Sequence, residues 1–208
     1  MPSITLPDFS HEDSFGLASR VAGVDEAGRG CWAGPVVAAV VILPKHGLPD
    51  GINDSKQLSA GERARLASQL REIAEVAVGM ASAEEIDRIN ILQASLLAMQ
   101  RAVEALSAPP GHVLVDGNRL PRWPYPSTAL VEGDAKSLSI AAASIIAKVT
   151  RDTIMAELAA MHPEYGWETN MGYGTLTHRR AIADHGITPH HRKSYRPIRQ
   201  RIEDMLLA

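Results

Sequence analysis

The chain has 208 residues, 45% of them hydrophobic and 22% charged, a single cysteine and a formal net charge of −3. That length suits one domain with a sizeable core, and that composition excludes a largely disordered chain. The charge excludes a uniformly basic nucleic-acid binder, and one cysteine excludes an intrachain disulfide. A reducing, cytoplasmic setting is therefore expected, and a monomer is the expected state.

Residues 1–19 read as a polar lead. They carry Asp8, Glu12 and Asp13 and have neither the basic nor the apolar region of a secretory leader. Arg20 to Asp25 reads as a short strand, followed by a glycine-rich turn at Gly28 and Gly30. Cys31 comes next, and with no His or Asn nearby in sequence it reads as a small packed residue, not a nucleophile. Val36 to Leu43 is apolar on both faces, as a fully buried strand is. This is the longest apolar run, and at eight residues it is far short of the roughly 18 needed to cross a membrane.

Ser59 with Glu62 and Ser82 with Glu85 both fit the capping box that opens a helix. The first helix is expected to reach about Glu75, and Val76 to Ala81 to follow as a strand. The second start leads into a longer helical segment, Ile91 to Leu106, stopped by Pro109-Pro110-Gly111. His112 to Asp116 is a strand ending in an acid, followed by a loop with Pro121, Pro124 and Pro126. Thr128 to Val131 is another strand, leading to Glu132-Gly133-Asp134. Nothing then breaks a helix until Pro163, and the small residues within Ile140 to Ala147 suit close packing on a sheet.

Alternating strands and helices predict an α/β fold with helices covering a sheet. One structural domain is expected, divided into the lead (1–19), a catalytic core (20–162) and a C-terminal helical extension (163–208). From His178 to Arg201 there are seven Lys or Arg against one acid, an excess of +6 that leaves −9 for the rest of the chain. Such asymmetry suggests a polyanion-facing edge. His190-His191 reads as a surface or phosphate-side pair, since adjacent histidines seldom present both rings to one ion.

Four carboxylates stand at the ends of apolar stretches: Asp25, Glu26, Asp116 and Asp134. Neighbouring strand residues point to opposite faces, so Asp25 and Glu26 converge only if the strand ends or bends between them. Clustered carboxylates repel, and a divalent cation removes that cost. Oxygen ligands without Cys or His select hard ions, Mg2+ or Mn2+. Two such ions can activate water and stabilise the leaving oxygen in phosphodiester hydrolysis. Asp134, read at a helix start, gains from the helix dipole.

The run Gly23-Val24-Asp25-Glu26-Ala27-Gly28-Arg29-Gly30, continuing through Ala33-Gly34-Pro35-Val36-Val37, resembles the opening signature of the ribonuclease HII family. Asn53-Asp54-Ser55-Lys56-Gln57-Leu58-Ser59, Val115-Asp116-Gly117 and Gly133-Asp134-Ala135-Lys136-Ser137 also match, in the family's order. So do Ala142 to Asp152, Gly172-Tyr173-Gly174-Thr175 and His191-Arg192. The resemblance covers roughly Val21 to Pro197 and implies an RNase H-like fold, a mixed sheet flanked by helices, with a C-terminal helical part that helps clamp the substrate.

It also implies hydrolysis of the RNA strand of an RNA–DNA hybrid, and cutting 5′ of ribonucleotides embedded in duplex DNA. Asp25, Glu26, Asp116 and Asp134 would be the catalytic, metal-binding acids. Gly28, Arg29 and Gly30 would offer backbone groups to the ribose 2′-hydroxyl. Lys56, Arg192 and Lys193 would meet phosphates, and Tyr173 would stack on the deoxyribose just after the cut, its flanking glycines freeing the backbone for this. Met171 departs from the family, which has a basic residue there.

Two other readings compete. A ribonuclease HIII-type enzyme would have Glu as the fourth acid and an added N-terminal domain, whereas here the fourth acid is Asp134 and only about 20 residues precede the first strand. A phosphoacceptor receiver-like signalling domain would also join strand-end acids to a lysine on an α/β sheet.

Overall fold

The computed structural model describes residues 6–16 and 19–207. A short helix, α1 (Ser10–Asp13), precedes five strands: β1 (Val21–Ala27), β2 (Val36–Ile42), β3 (Glu75–Ala81), β4 (His112–Asp116) and β5 (Ser127–Leu130). The sheet order is β3-β2-β1-β4-β5. The first three strands pair antiparallel, and β4 joins β1 and β5 in parallel, so the sheet is mixed. The further helices are α2 (Ala60–Ile73), α3 (Ala83–Glu104), α4 (Leu138–Met161), α5 (Trp167–Asn170), α6 (Leu176–His185) and α7 (Arg196–Leu207).

The two faces of β2 explain its unbroken apolar run. Val36, Ala38 and Val40 point into a core shared with Ala94, Ala98 and Ala102 of α3. Ala39 and Val41 point the other way, against Leu66 and Leu70 of α2 and Ala142 and Ile146 of α4. A third core lies beyond the sheet, where Met155 and Leu158 of α4 meet Tyr165, Trp167, Ile182 and Ile198, with Ala33 of the β1–β2 loop among them. Among the described residues, no helix is long and apolar enough to cross a membrane.

Both capping boxes are present, at Ser59 with Glu62 and Ser82 with Glu85. The first helix stops at Ile73 instead of Glu75, because Glu75 already pairs with Ile42 in the sheet. The helix start at Ser82 and the longer segment expected from Ile91 both fall within α3, which Asn90 interrupts at φ 64°. Its side-chain oxygen accepts from the Gln93 amide at 3.2 Å, so Asn90 caps the second segment. The polar lead is fastened to the core by Glu12, which is buried and accepts from Ser137 Oγ at 2.7 Å and the Ser139 amide at 2.9 Å. A carboxylate there also meets the positive end of α4.

The small residues of α4 matter most where the helix crosses β1. A side chain on Gly23 would overlap the backbone of Ser139 and Ile140, so helix and strand touch backbone to backbone. Gly23→Ala must push α4 off the sheet, and overpacking of this kind costs about 3 kcal/mol. Thermal or denaturant unfolding of that variant should show such a loss; unchanged stability would mean that the contact is not close.

Candidate active site

The last residue pair joining β1 to β4 is Val24 with Val115, which sets Asp25 beside Asp116 where β4 ends. The Gly133 amide donates to Asp116 Oδ1 at 2.7 Å, drawing the next turn under the same edge and bringing Asp134 with it. Asp25 and Asp134 are both buried. Strand β1 does not stop at Asp25. It stays paired with β2 through Glu26 and Ala27, so no bend separates the two acids. What opens the site is the end of β4, which leaves this part of β1 without a neighbour on that side. Asp25, Glu26 and Asp116 line one pocket of about 300 Å3, together with Gly28, Arg29, Gly30, Lys56 and Tyr173.

Asp134 is not at the start of the long helix. It sits in a 3-10 turn, Gly133–Ala135, and α4 begins only at Leu138, capped by Ser137. The acid is held instead by Lys56, whose Nζ lies 3.1 Å from Asp134 Oδ2 and 3.7 Å from Asp54 Oδ1. Burial tends to lower the lysine's pKa, but the Asp134 carboxylate outweighs it and holds the ammonium above its ordinary value.

Burial, reinforced by the charges of Glu26, Asp116 and Asp134, pushes Asp25 well above the usual carboxylate range. Glu26 is also raised by burial, against Arg29, which donates to Glu26 Oε1 at 3.2 Å. Burial raises Asp134 despite Lys56. Four cations line the same pocket, of which Arg29 and Lys56 meet the acids directly, while Lys148 pairs with Asp152 and Arg151 is spent on carbonyls. Among the described residues, no three His, Cys, Asp or Glu side chains are drawn together tightly enough to form a ligand set.

The loop from Gly28 to Pro35 forms the opposite wall, and two buried arginines hold it. Arg192 donates to the carbonyl oxygens of Gly28 (2.6 Å), Arg29 (2.9 Å), Gly34 (3.0 Å) and Pro35 (3.2 Å). Arg151 of α4 donates to Ala33, Pro35 and Met171 carbonyls at 2.9–3.1 Å. Gly28 has φ +98°, and a Cβ there would overlap the Arg151 guanidinium, so this position accepts only glycine. Trp32 and Ala33 donate their amides to the Gly172 carbonyl, tying the loop to the Tyr173 segment. The glycines around Tyr173 serve that packing, since Cβ atoms at 172 and 174 would meet Ala33 and Trp32.

Arg192 therefore does not face phosphates, because it is fully buried and its donors are spent on loop carbonyls and the Tyr195 hydroxyl. His191 is likewise buried, contrary to a surface role. The Thr188 amide donates to its Nδ1 at 2.9 Å, so its proton sits on Nε2 and points to His178 Nε2 at 3.1 Å. Burial pulls His191 down to about 3, which keeps the ring neutral. His178 in turn donates from Nδ1 to the Tyr173 carbonyl at 2.9 Å, so this buried pair helps position Tyr173. The Tyr173 ring itself is half exposed, near Gly30. Lys193 is exposed beside Asp87, which accepts from its backbone amide, and Cys31 is buried. Met171 packs in the third core at φ 49°, and the Arg151 contact needs only its carbonyl.

The model of ribonuclease HII matches residues 22–198. The chain belongs to the ribonuclease HII family. Its sequence is 55% identical over 193 residues to the ribonuclease HII of Jannaschia sp. (strain CCS1), covering 92% of this chain and 96% of that protein. It is 54% identical over 205 residues to that of Zymomonas mobilis, covering 97% and 94%. The crystal structure of ribonuclease H2 from Pyrococcus horikoshii superposes with a TM-score of 0.75 at 29% identity, over 90% of this chain and 99% of that one. As a member of this family the chain is a hydrolase, an endoribonuclease acting on RNA paired with DNA. Neither the receiver reading nor the ribonuclease HIII reading is favoured.

Within a ribonuclease HII chain, Arg151, Arg192 and His178 are the site-supporting residues that sequence reasoning did not single out for this role. Arg192→Ala leaves the Gly28 and Gly34 carbonyls without a donor, while Pro35 keeps Arg151 and Arg29 keeps the Tyr195 hydroxyl; each such loss costs about 1 to 3 kcal/mol when no water replaces it. The variant should therefore lose at least about 2 kcal/mol of stability in denaturant unfolding, whereas a surface arginine would change it by less than about 0.5 kcal/mol.

Proposed function

We propose that Asp25, Glu26, Asp116 and Asp134 are the catalytic acids and that they hold divalent cations, Mg2+ or Mn2+, over which a phosphodiester of the RNA strand is hydrolysed. The observation that carries this reading is the convergence of Asp25, Glu26 and Asp116 in one pocket at the end of β4, beside the Gly28–Gly30 backbone, with Asp134 near enough to act on Asp25. The donor set is all oxygen, which fits a hard cation. Burial and the neighbouring acids raise Asp25, a cost that a bound cation would remove. When bound, such ions supply an activated water and neutralise charge at the phosphoryl group.

The protein's own part is to orient and to recognise. Gly28, Arg29 and Gly30 present backbone groups to the ribose 2′-hydroxyl, the group that separates RNA from DNA. The loop cannot drift, because Arg151 and Arg192 hold its carbonyls from behind. Lys56 contributes a charge at the rim, on Asp134 in the free protein and toward a substrate phosphate when one arrives. Tyr173 offers an exposed aromatic face at the other rim, suited to packing on a deoxyribose, which lacks the crowding 2′-hydroxyl. Substrates then include ribonucleotides embedded in duplex DNA, cut on their 5′ side, as well as long hybrids.

Replacing Asp25, Asp116 or Asp134 singly by Asn should slow hybrid cleavage by more than about a thousandfold, since losing even a supporting partner of a metal ligand costs about 10- to 100-fold. The variants should stay folded in circular dichroism. Products should carry 3′-hydroxyl and 5′-phosphate ends, because water and not the 2′-hydroxyl attacks. A 2′,3′-cyclic phosphate product, or near-normal turnover by Asp134→Asn, would remove the proposal.

A further inference from the structure

We propose a second nucleic-acid subsite, a groove that continues the active-site pocket past Asp116 across the face of α3 and takes the sugar–phosphate backbone of the bound duplex beyond the cut.

Three adjoining cavities trace this path. The catalytic pocket passes, at Glu26, Arg29 and Asp116, into a small polar cavity of about 50 Å3. That cavity shares Leu92, Leu96 and Arg119 with a groove of about 570 Å3 between α3 and the loop after β4. Tyr173 lines the first of the three but not the other two, so the groove extends the site on the Asp116 side.

The charge pattern points to a polyanion. Arg119 and Arg122 are exposed on the groove's loop wall, and among the described residues neither side chain makes a hydrogen bond or ion pair. Every other Lys or Arg before His178 makes at least one, whether to an acid, a hydroxyl, an amide or a backbone carbonyl. Two uncommitted guanidinium groups three residues apart, facing one groove that opens from a nuclease site, are the donors a phosphate backbone needs.

The groove's other features suit the same occupant. Gln93 and Gln100 add polar side chains along α3, and Leu120, 40% exposed, offers an apolar surface to sugar faces. Within the connecting cavity Ser95 is buried, and its hydroxyl has no hydrogen-bond partner. A buried hydroxyl without a partner is uncommon, and its position between Asp116 and the groove marks a passage that a bound polar group or its water completes. The loop's prolines hold the two arginines in place, since Pro121 is buried between them.

Because this subsite rests on the proposed active site, its test must separate the two. Binding of a long RNA–DNA hybrid to the Asp134→Asn protein, which should bind without cutting, is measured as a function of salt. Added Arg119→Ala and Arg122→Ala changes should each lower the slope of log K against log salt by about 0.9, and together by about 1.8, as expected for lost phosphate contacts. Arg65→Ala, an exposed charge on α2 away from the groove, should leave the slope unchanged. Shortening the hybrid on one side of the cut, so that it no longer reaches the groove, should abolish the effect of both arginine changes. Slopes unchanged by Arg119→Ala and Arg122→Ala overturn the groove, including the case in which it docks a protein, while leaving the active site standing. If the protein with all its acids fails to cut the hybrid, the active-site reading itself falls.

Discussion

The buried guanidinium groups of Arg151 and Arg192 are the constraint on which the rest of the site depends. Burying a cation is costly unless its donors are satisfied. Here the donors end on backbone carbonyls between Gly28 and Pro35 and at Met171, with no carboxylate partner. Pro35 accepts from both arginines. The arginines come from α4 and from the segment before α7, so the C-terminal helices are bound to the active-site loop through its backbone. The amides of Trp32, Ala33 and Gly34 are spent on Gly172 and His190, so what the clamp leaves open is the Gly28–Gly30 stretch, which suits the proposed reading of a sugar hydroxyl.

Opposite that wall the electrostatic problem is reversed. Four acids gather at the end of β4, and the chain answers with Lys56 on Asp134 and Arg29 on Glu26. Both cations are largely exposed, with 77% and 53% of their side-chain surface open, so they can turn toward an incoming phosphate. Asp25 has no such partner, and burial together with the charges of its neighbours raises its pKa. The two walls thus differ: a fixed backbone on one side and adjustable charge on the other, with buried acids between them.

Much of this was legible in the residues. The apolar runs marked β2 and β4, two capping boxes marked helix starts, and the four acids were visible as acids directly following apolar stretches. What could not be read was direction and depth. Arg192 belongs to a basic segment, and charge density predicts a solvated edge; only the fold reveals that Gly28 and Gly34 carbonyls await it. His191 gives no local sign that Trp167 and Tyr165 enclose it. Whether Asp25 and Glu26 could share a site depended on where β4 stops, a property of a strand about 90 residues away. Asp134 was misplaced at a helix start because a 3-10 turn and a capped α-helix follow one another without a break in polarity.

The central claim is that the Gly28–Gly30 backbone, fixed from behind, selects a 2′-hydroxyl over a carboxylate site that needs a divalent ion. Single-turnover cleavage of a DNA duplex bearing one ribonucleotide, run beside the same duplex with deoxyribose throughout, tests it directly in Mg2+, in Mn2+ and in chelator. The account predicts a single cut 5′ of the ribonucleotide with either ion, none in chelator and none in the all-deoxy duplex. Equal cutting of the two duplexes, or cutting that survives chelation, would contradict it.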